Sequence, residues 1–169
     1  MKFSPTLAQT TRRFDAARTY AVRGGQALRY ACPMNSIRIT AGGHQFLAVP
    51  NPDAPRTVAA FEKLLPYRQK IIHVRWSGEA CWIPLGDFDL KTGFENATSH
   101  PSVGDILFYP GGFSETEILL AYGSCCFASK LGQLAGNHFL TIVEGKENLR
   151  PLGVDVLWNG AKDIVFERS

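Results

Sequence analysis

From Ile37 onward the chain breaks into short apolar runs with alternating side chains, and glycine or proline closes each run within a few residues. Ile37 and Ile39 alternate with Arg38 and Thr40, and Ala41-Gly42-Gly43 makes a turn before Gln45 to Val49, so a hairpin is expected. Further strands are expected over Ile71–Trp76, Ala80–Leu85, Ile106–Tyr109, Glu117–Tyr122, His138–Val143 and Asp163–Glu167. Only two segments change period. Val58, Phe61, Leu64 and Leu65 share one face of a short helix, with Thr57 as its expected N-cap and Pro66 as its stop. Asn148–Trp158 holds a second helix that Pro151 and Gly153 are expected to interrupt. Seven or eight short strands with two short helices point to a closed antiparallel barrel, because closure leaves no exposed strand edge.

Length and charge narrow the rest. A chain of 169 residues suits one well-buried domain. Of its net charge of +3, residues 1–33 carry more than the whole, with Lys2, Arg12, Arg13, Arg18, Arg23 and Arg29 set against Asp15 alone. The remainder is slightly acidic, so no nucleic-acid partner is expected. The basic segment has no convincing period and reads as a disordered or loosely docked extension, an upstream start before Met34, or a transit peptide. The domain is therefore placed at 34–169. No apolar run approaches the roughly 20 residues of a spanning helix, so no membrane partner is expected. Cys32, Cys81, Cys125 and Cys126 lack metal or redox spacing, which fits reduced thiols in a cytoplasmic protein, with Cys125-Cys126 as small buried residues. No cofactor and no metal site is implied.

Chemistry-bearing residues are densest from His73 to Trp82. If Ile71–Trp76 is one strand, Ile72, Val74 and Trp76 face the core while His73 and Arg75 share the other face. Across Ser77-Gly78, Arg75 is in reach of Glu79 for an ion pair; the face of Trp82 is left open.

Two stretches resemble cyclophilins. Ala54-Pro55-Arg56-Thr57-Val58 with Phe61 and Leu64 is similar to the opening helix of that family, and Gly136-Asn137-His138-Phe139 with Val143-Glu144-Gly145 is similar to a late strand. Between them, Arg75-Trp76-Ser77-Gly78-Glu79 and Gly104-Asp105-Ile106 with Tyr109-Pro110-Gly111 resemble small bacterial cyclophilin-like families of unknown function. The resemblance implies an eight-stranded antiparallel barrel capped by two helices, with a ligand groove on its outer wall. It carries the family's catalytic arginine onto Arg75, its groove histidine onto His138, and its groove glutamine onto Glu117. Its aromatic pocket positions fall on Leu119, Gln133, Ala80 and Cys81, so the proline pocket is lost.

Three function classes follow. In the first, a small carboxylate or amide ligand sits in a groove around Arg75, with Glu117 and His138 as base and acid, and His73, Glu79, Trp82, Glu95, Asn96, Glu115, Tyr122 and Asn137 lining it. The second is a prolyl isomerase acting on proline-containing peptides, with Arg75 donating to the prolyl nitrogen. The third is an interaction module, including a homo-oligomer. Beside them stand plainer roles, such as Glu95-Asn96 bracing a loop through backbone groups.

Overall fold

The computed structural model describes residues 36–169. The extension over 1–33, with its three readings, lies outside the described residues. The strands are β1 (Ile37–Ala41), β2 (His44–Pro50), β3 (Tyr67–His73), β4 (Gly78–Gly86), β5 (Ala97–Thr98), β6 (Asp105–Tyr109), β7 (Thr116–Cys125), β8 (Ala128–Ser129), β9 (Gly132–Gln133), β10 (Gly136–Glu144) and β11 (Lys162–Arg168). Helix α1 spans Pro55–Glu62 and α2 spans Leu149–Asn159. The main sheet runs β2-β1-β11-β3-β4-β7-β6-β10, and β10 pairs back onto β2. Eight antiparallel strands thus close a barrel; β5 only extends the end of β10, and β8 with β9 forms a separate small hairpin.

Alternation fills the interior. Ile37, Ile39, Phe46, Ala48, Ile71, Cys81, Ile83, Ile106, Phe108, Ile118, Leu120 and Ile142 belong to one buried cluster. Phe61 of α1 joins them, meeting Phe139 and Phe166 edge-on at 5.0 and 5.2 Å. At the other cap, α2 inserts Leu149, Leu152 and Val156. It is not interrupted: Pro151 sits in the first turn, where its missing N–H costs nothing. Gly153 is needed there because a Cβ would stand 2.4 Å from the ring of Tyr122.

Three local expectations are corrected. Helix α1 begins earlier, with Pro55 in its first turn and Ala54 at the N-cap, so Thr57 is an interior residue. Strand β3 ends at His73, and Val74 N–H then donates to Ala80 O at 3.2 Å. Ser77 is buried and pins the following turn by donating to Ala128 O and accepting from Ala128 N–H. Gly78 completes that turn at φ +89°, where a Cβ would approach Ser124 O to 2.6 Å. Arg75 and Trp76 are left on the outside of the turn, and Trp76 is 60% exposed rather than in the core. The third correction concerns the cysteine pair: Cys125 is half-buried and Cys126 exposed.

Among the described residues no helix is long and apolar enough to cross a membrane.

Candidate functional site on the outer wall

The sidedness of the His73 region is the reverse of the simple expectation. His73 shares the inward face with Ile71, while Val74 packs outward against a second apolar cluster. The His73 ring is locked in place: Nδ1 donates to Val74 O and Nε2 shares a hydrogen bond with Tyr122 Oη, both at 2.7 Å. These two bonds fix the orientation of the ring at the end of the barrel. Burial raises the Tyr122 phenol above its usual range, with smaller contributions from Cys81 and Glu79. His73 and Tyr122 therefore brace the interior.

The second cluster lies on the outer wall. Ala80, Leu107, Tyr109, Leu119, Phe127 and Leu134 are buried there, with Val74 and Trp82 packed against them. The 123–136 connection supplies Phe127 and Leu134, so β4, β7 and β6 are apolar on both faces. Glu117 points into this wall. It stands opposite Pro84 on β4 and Tyr109 on β6, and only 6% of it is exposed. It has no hydrogen-bond partner among the described residues. Burial, and then the charge of nearby Glu115, pushes its carboxyl up to about 8, so it is mostly a neutral acid at pH 7.

Trp82 belongs to the same wall. It pairs with Leu119, two residues along β4 from Pro84, which makes it a diagonal neighbour of Glu117. Its Nε1–H is buried without a partner. A buried donor without a partner costs stability unless something else uses it.

The rim of this wall is aromatic. Tyr109 Oη accepts the N–H groups of Phe113 and Ser114 at 3.1 and 3.2 Å, holding the 110–115 loop. Phe94 lies 6.0 Å from the Tyr109 ring, and Tyr109 lies 6.0 Å from Phe127. Phe94, Phe113 and Leu131 are each more than half exposed.

The other candidate residues are placed as follows. His138 faces outward from β10 opposite Leu107, two strands from Glu117. Its Nε2 lies 2.8 Å from Thr141 Oγ1 and 3.2 Å from Asp105 Oδ1. Burial raises the Asp105 carboxyl, but the His138 bond and the Ser102 N–H outweigh it and leave the group below its usual range. Asp105 was not foreseen as a site residue, although its phase with Leu107 and Tyr109 marks it as outward. Glu79 bonds Arg150 at 2.9 Å and the Ser124 N–H at 3.0 Å, and so ties α2 to β7 instead of meeting Arg75. Glu115 is exposed.

Asn137, Glu95 and Asn96 form a brace. Asn137 is fully buried, donates to Thr57 Oγ1 and Gly93 O, and accepts from Glu95 N–H. Glu95 accepts the Thr57 N–H and pairs with Arg56 at 2.9 Å, supplying α1 with the N-terminal acceptor that Ala54 lacks. Asn96 donates to His138 O at 3.3 Å and accepts the His138 N–H through its carbonyl. These contacts are with backbone and helix, the plainer reading of Glu95-Asn96.

Arg75 lies in the exposed turn without an ion pair or hydrogen bond among the described residues. Arg75→Ala is therefore expected to leave stability within about 0.5 kcal/mol, as exposed substitutions usually do. A thermal melt checks this, and a loss of several degrees would place Arg75 in a contact the fold depends on. Glu117 and His138 thus share the outer wall, Arg75 lies beyond its end, and His73 faces inward.

Comparison with known proteins agrees with the barrel. Residues 37–167 match the model of a family described as "Protein of unknown function (DUF3830)". No curated protein matches the chain. Among solved structures it is similar to McbB in complex with tryptophan, at 16% identity and a TM-score of 0.61 over 79% of this chain, and it spans 44% of the McbB chain. It is also similar to the solution structure of the hypothetical protein AF2241 from Archaeoglobus fulgidus, at 19% identity and a TM-score of 0.51, covering 80% of this chain and 95% of that one. At these identities the likeness is one of fold.

Proposed function

We propose that this chain, which belongs to the DUF3830 family of unknown function, binds a small amide-bearing ligand on the outer wall around Glu117. The observation that carries the reading is a neutral, buried carboxyl without a partner, set among apolar side chains. A protonated carboxyl both donates and accepts, and the Trp82 indole donates, so together they match the C=O and N–H of an amide. A carboxylate ligand fits less well. It would need a cation, and the charge that bears on the Glu117 carboxyl is the acid Glu115. The aromatic rim of Phe94 and Phe113 would cover the apolar part of such a ligand.

The test is a titration at pH 7 with N-acetyltryptophanamide and free tryptophan, the latter chosen because McbB is described with it. The neutral amide is expected to bind at least tenfold more tightly than the free amino acid, and to lose that advantage in Glu117→Leu while keeping it in Arg75→Ala. Equal affinities, or an amide indifferent to Glu117→Leu, would rule the reading out. Prolyl isomerisation is the alternative. With Arg75 outside the wall and Leu119 in place of an aromatic floor, no acceleration of proline-peptide isomerisation is expected, and measurable activity abolished by Arg75→Ala would favour the isomerase instead.

A further inference from the structure

Helix α2 is apolar on two faces, and the barrel uses only one of them. Leu149, Leu152, Gly153 and Val156 are buried, while Val154, Leu157 and Trp158 face outward, with Trp158 77% exposed. A helix that is apolar all round is ordinarily buried all round. Its two charged residues do not open the outer face to water, because both are engaged within the chain: Arg150 pairs with Glu79 and Asp155 with Lys162, each at 2.9 Å. The outer face continues off the helix. Arg150 holds Glu79 at the start of β4, just beyond Trp76, which is itself 60% exposed in the turn between β3 and β4.

Area and charge identify what covers this end. Trp76, Val154, Leu157 and Trp158 together leave roughly 500 Å² open, at about 150 to 250 Å² for a whole large aromatic side chain. A standard protein interface takes about 800 Å² from each partner, about 60% of it apolar, so these four side chains match one partner's apolar share. The eight strands form a ring in the order β2-β1-β11-β3-β4-β7-β6-β10, which sets the turn between β3 and β4 across the ring from the end of β10, where Glu144 and Glu147 stand. Helix α2 crosses between them, starting beside Glu147 and lying against β3. Arg75 at one edge and Glu144 and Glu147 at the other are exposed, with no ion pair or hydrogen bond among the described residues. Lys146 reaches instead towards Gly104, where its Cε would lie 3.5 Å from a Cβ, and its charge bears on Asp105.

We propose that this end of the barrel is the interface of a homodimer, in which α2 packs antiparallel on α2 of a second copy. A two-fold axis through the middle of α2 exchanges the two edges, so Arg75 of each copy faces Glu144 and Glu147 of the other. Both charge contacts form at once, because a single patch serves both copies. A lipid surface fits less well, since the two acids would oppose anionic head groups. A different protein would have to supply the apolar area and the charges that this chain already carries on one face.

The experiment is sedimentation equilibrium of the full chain from sub-micromolar to several hundred micromolar concentration. The parent is expected to pass from monomer to dimer within this range. Trp158→Ser and Arg75→Glu are each expected to weaken dimerisation at least tenfold. Adding Glu144→Arg and Glu147→Arg to Arg75→Glu is expected to restore it to within about threefold of the parent. At the lowest concentration, where the chain is monomeric, the variants should melt with the parent, because every changed side chain is exposed. If Trp158→Ser melts early, the charge reversal and its restoration decide alone. The proposal is overturned by a chain that stays monomeric throughout, by a dimer indifferent to both substitutions, or by a charge reversal that the second pair does not restore. Vesicles of phosphatidylcholine, with and without phosphatidylglycerol, form the last arm: a monomer that sediments with them assigns this end to lipid and equally overturns the dimer. Glu117 lies towards the α1 end of β7, so amide binding there and dimerisation through α2 stand or fall separately.

Discussion

Glu117→Gln will be more stable than the parent protein at pH 9 and nearly equal to it at pH 4. The folded protein holds the Glu117 carboxyl at about 8, whereas the unfolded chain releases its proton near 4.5, the ordinary value for a glutamate. Because the folded pKa is the higher one, the stability contributed by the protonated form is complete below about 4.5 and is lost as pH rises towards about 8. Each unit of separation corresponds to about 1.4 kcal/mol, which sets an upper figure of about 5 kcal/mol across this window. Glutamine keeps the shape and polarity of the acid without its charge. Melting curves of both proteins from pH 4 to 9 should diverge through this range, and parallel profiles would show that the Glu117 carboxyl ionises as freely in the folded wall as in the unfolded chain. Bound amide should delay the parent's loss, since the ligand engages the protonated acid.

The barrel was readable from alternation because its interior is apolar and its turns are marked by Gly42-Gly43, Ser77-Gly78 and Pro110-Gly111-Gly112. Alternation does not say which of two phases faces inward when both are plausible. In Ile71 to Trp76, the set Ile72, Val74 and Trp76 looks like the core. The inner face is set instead by Tyr122, which receives His73, and the outer one by Ala80 and its neighbours, which receive Val74. The same ambiguity affects β6, buried along its whole length because the 123–136 segment covers its outer face. Glu117 became a candidate through resemblance alone: a glutamate in an apolar strand gives no sign of whether it is solvated or shut in.

Asn137→Ala is expected to be the most destabilising single truncation at the candidate site, lowering stability by about 4 kcal/mol. The side chain is fully buried and makes three hydrogen bonds, to Thr57 Oγ1, Gly93 O and Glu95 N–H. Alanine leaves all three partners without it and opens a hole in the buried site; the buried Thr57 hydroxyl so abandoned costs about 1 to 3 kcal/mol, and the partly buried Gly93 and Glu95 groups add smaller amounts. Partial entry of water offsets some of this. For a domain of this size each kcal/mol moves the melting temperature by about 2 to 4 °C, so a fall of roughly 10 °C or more is expected. The damage should also be local in a particular way. Glu95 would lose one of the contacts that aim its carboxylate at the start of α1, and Phe94, half of the aromatic rim, would lose its anchored neighbours. Chymotrypsin should therefore cut after Phe94 faster in Asn137→Ala than in the parent at equal global stability, and amide affinity at Glu117 should fall in parallel. Arg56→Ala is the comparison: it removes an exposed ion pair to Glu95 and an exposed bond to Phe94 O, worth about 1 kcal/mol or less. A melt within about 2 °C of the parent for Asn137→Ala would mean that this three-way bond is not what seats the 93–96 loop, and that the rim is held by ring packing on Tyr109 and by Arg56, which donates to Phe94 O at 3.0 Å.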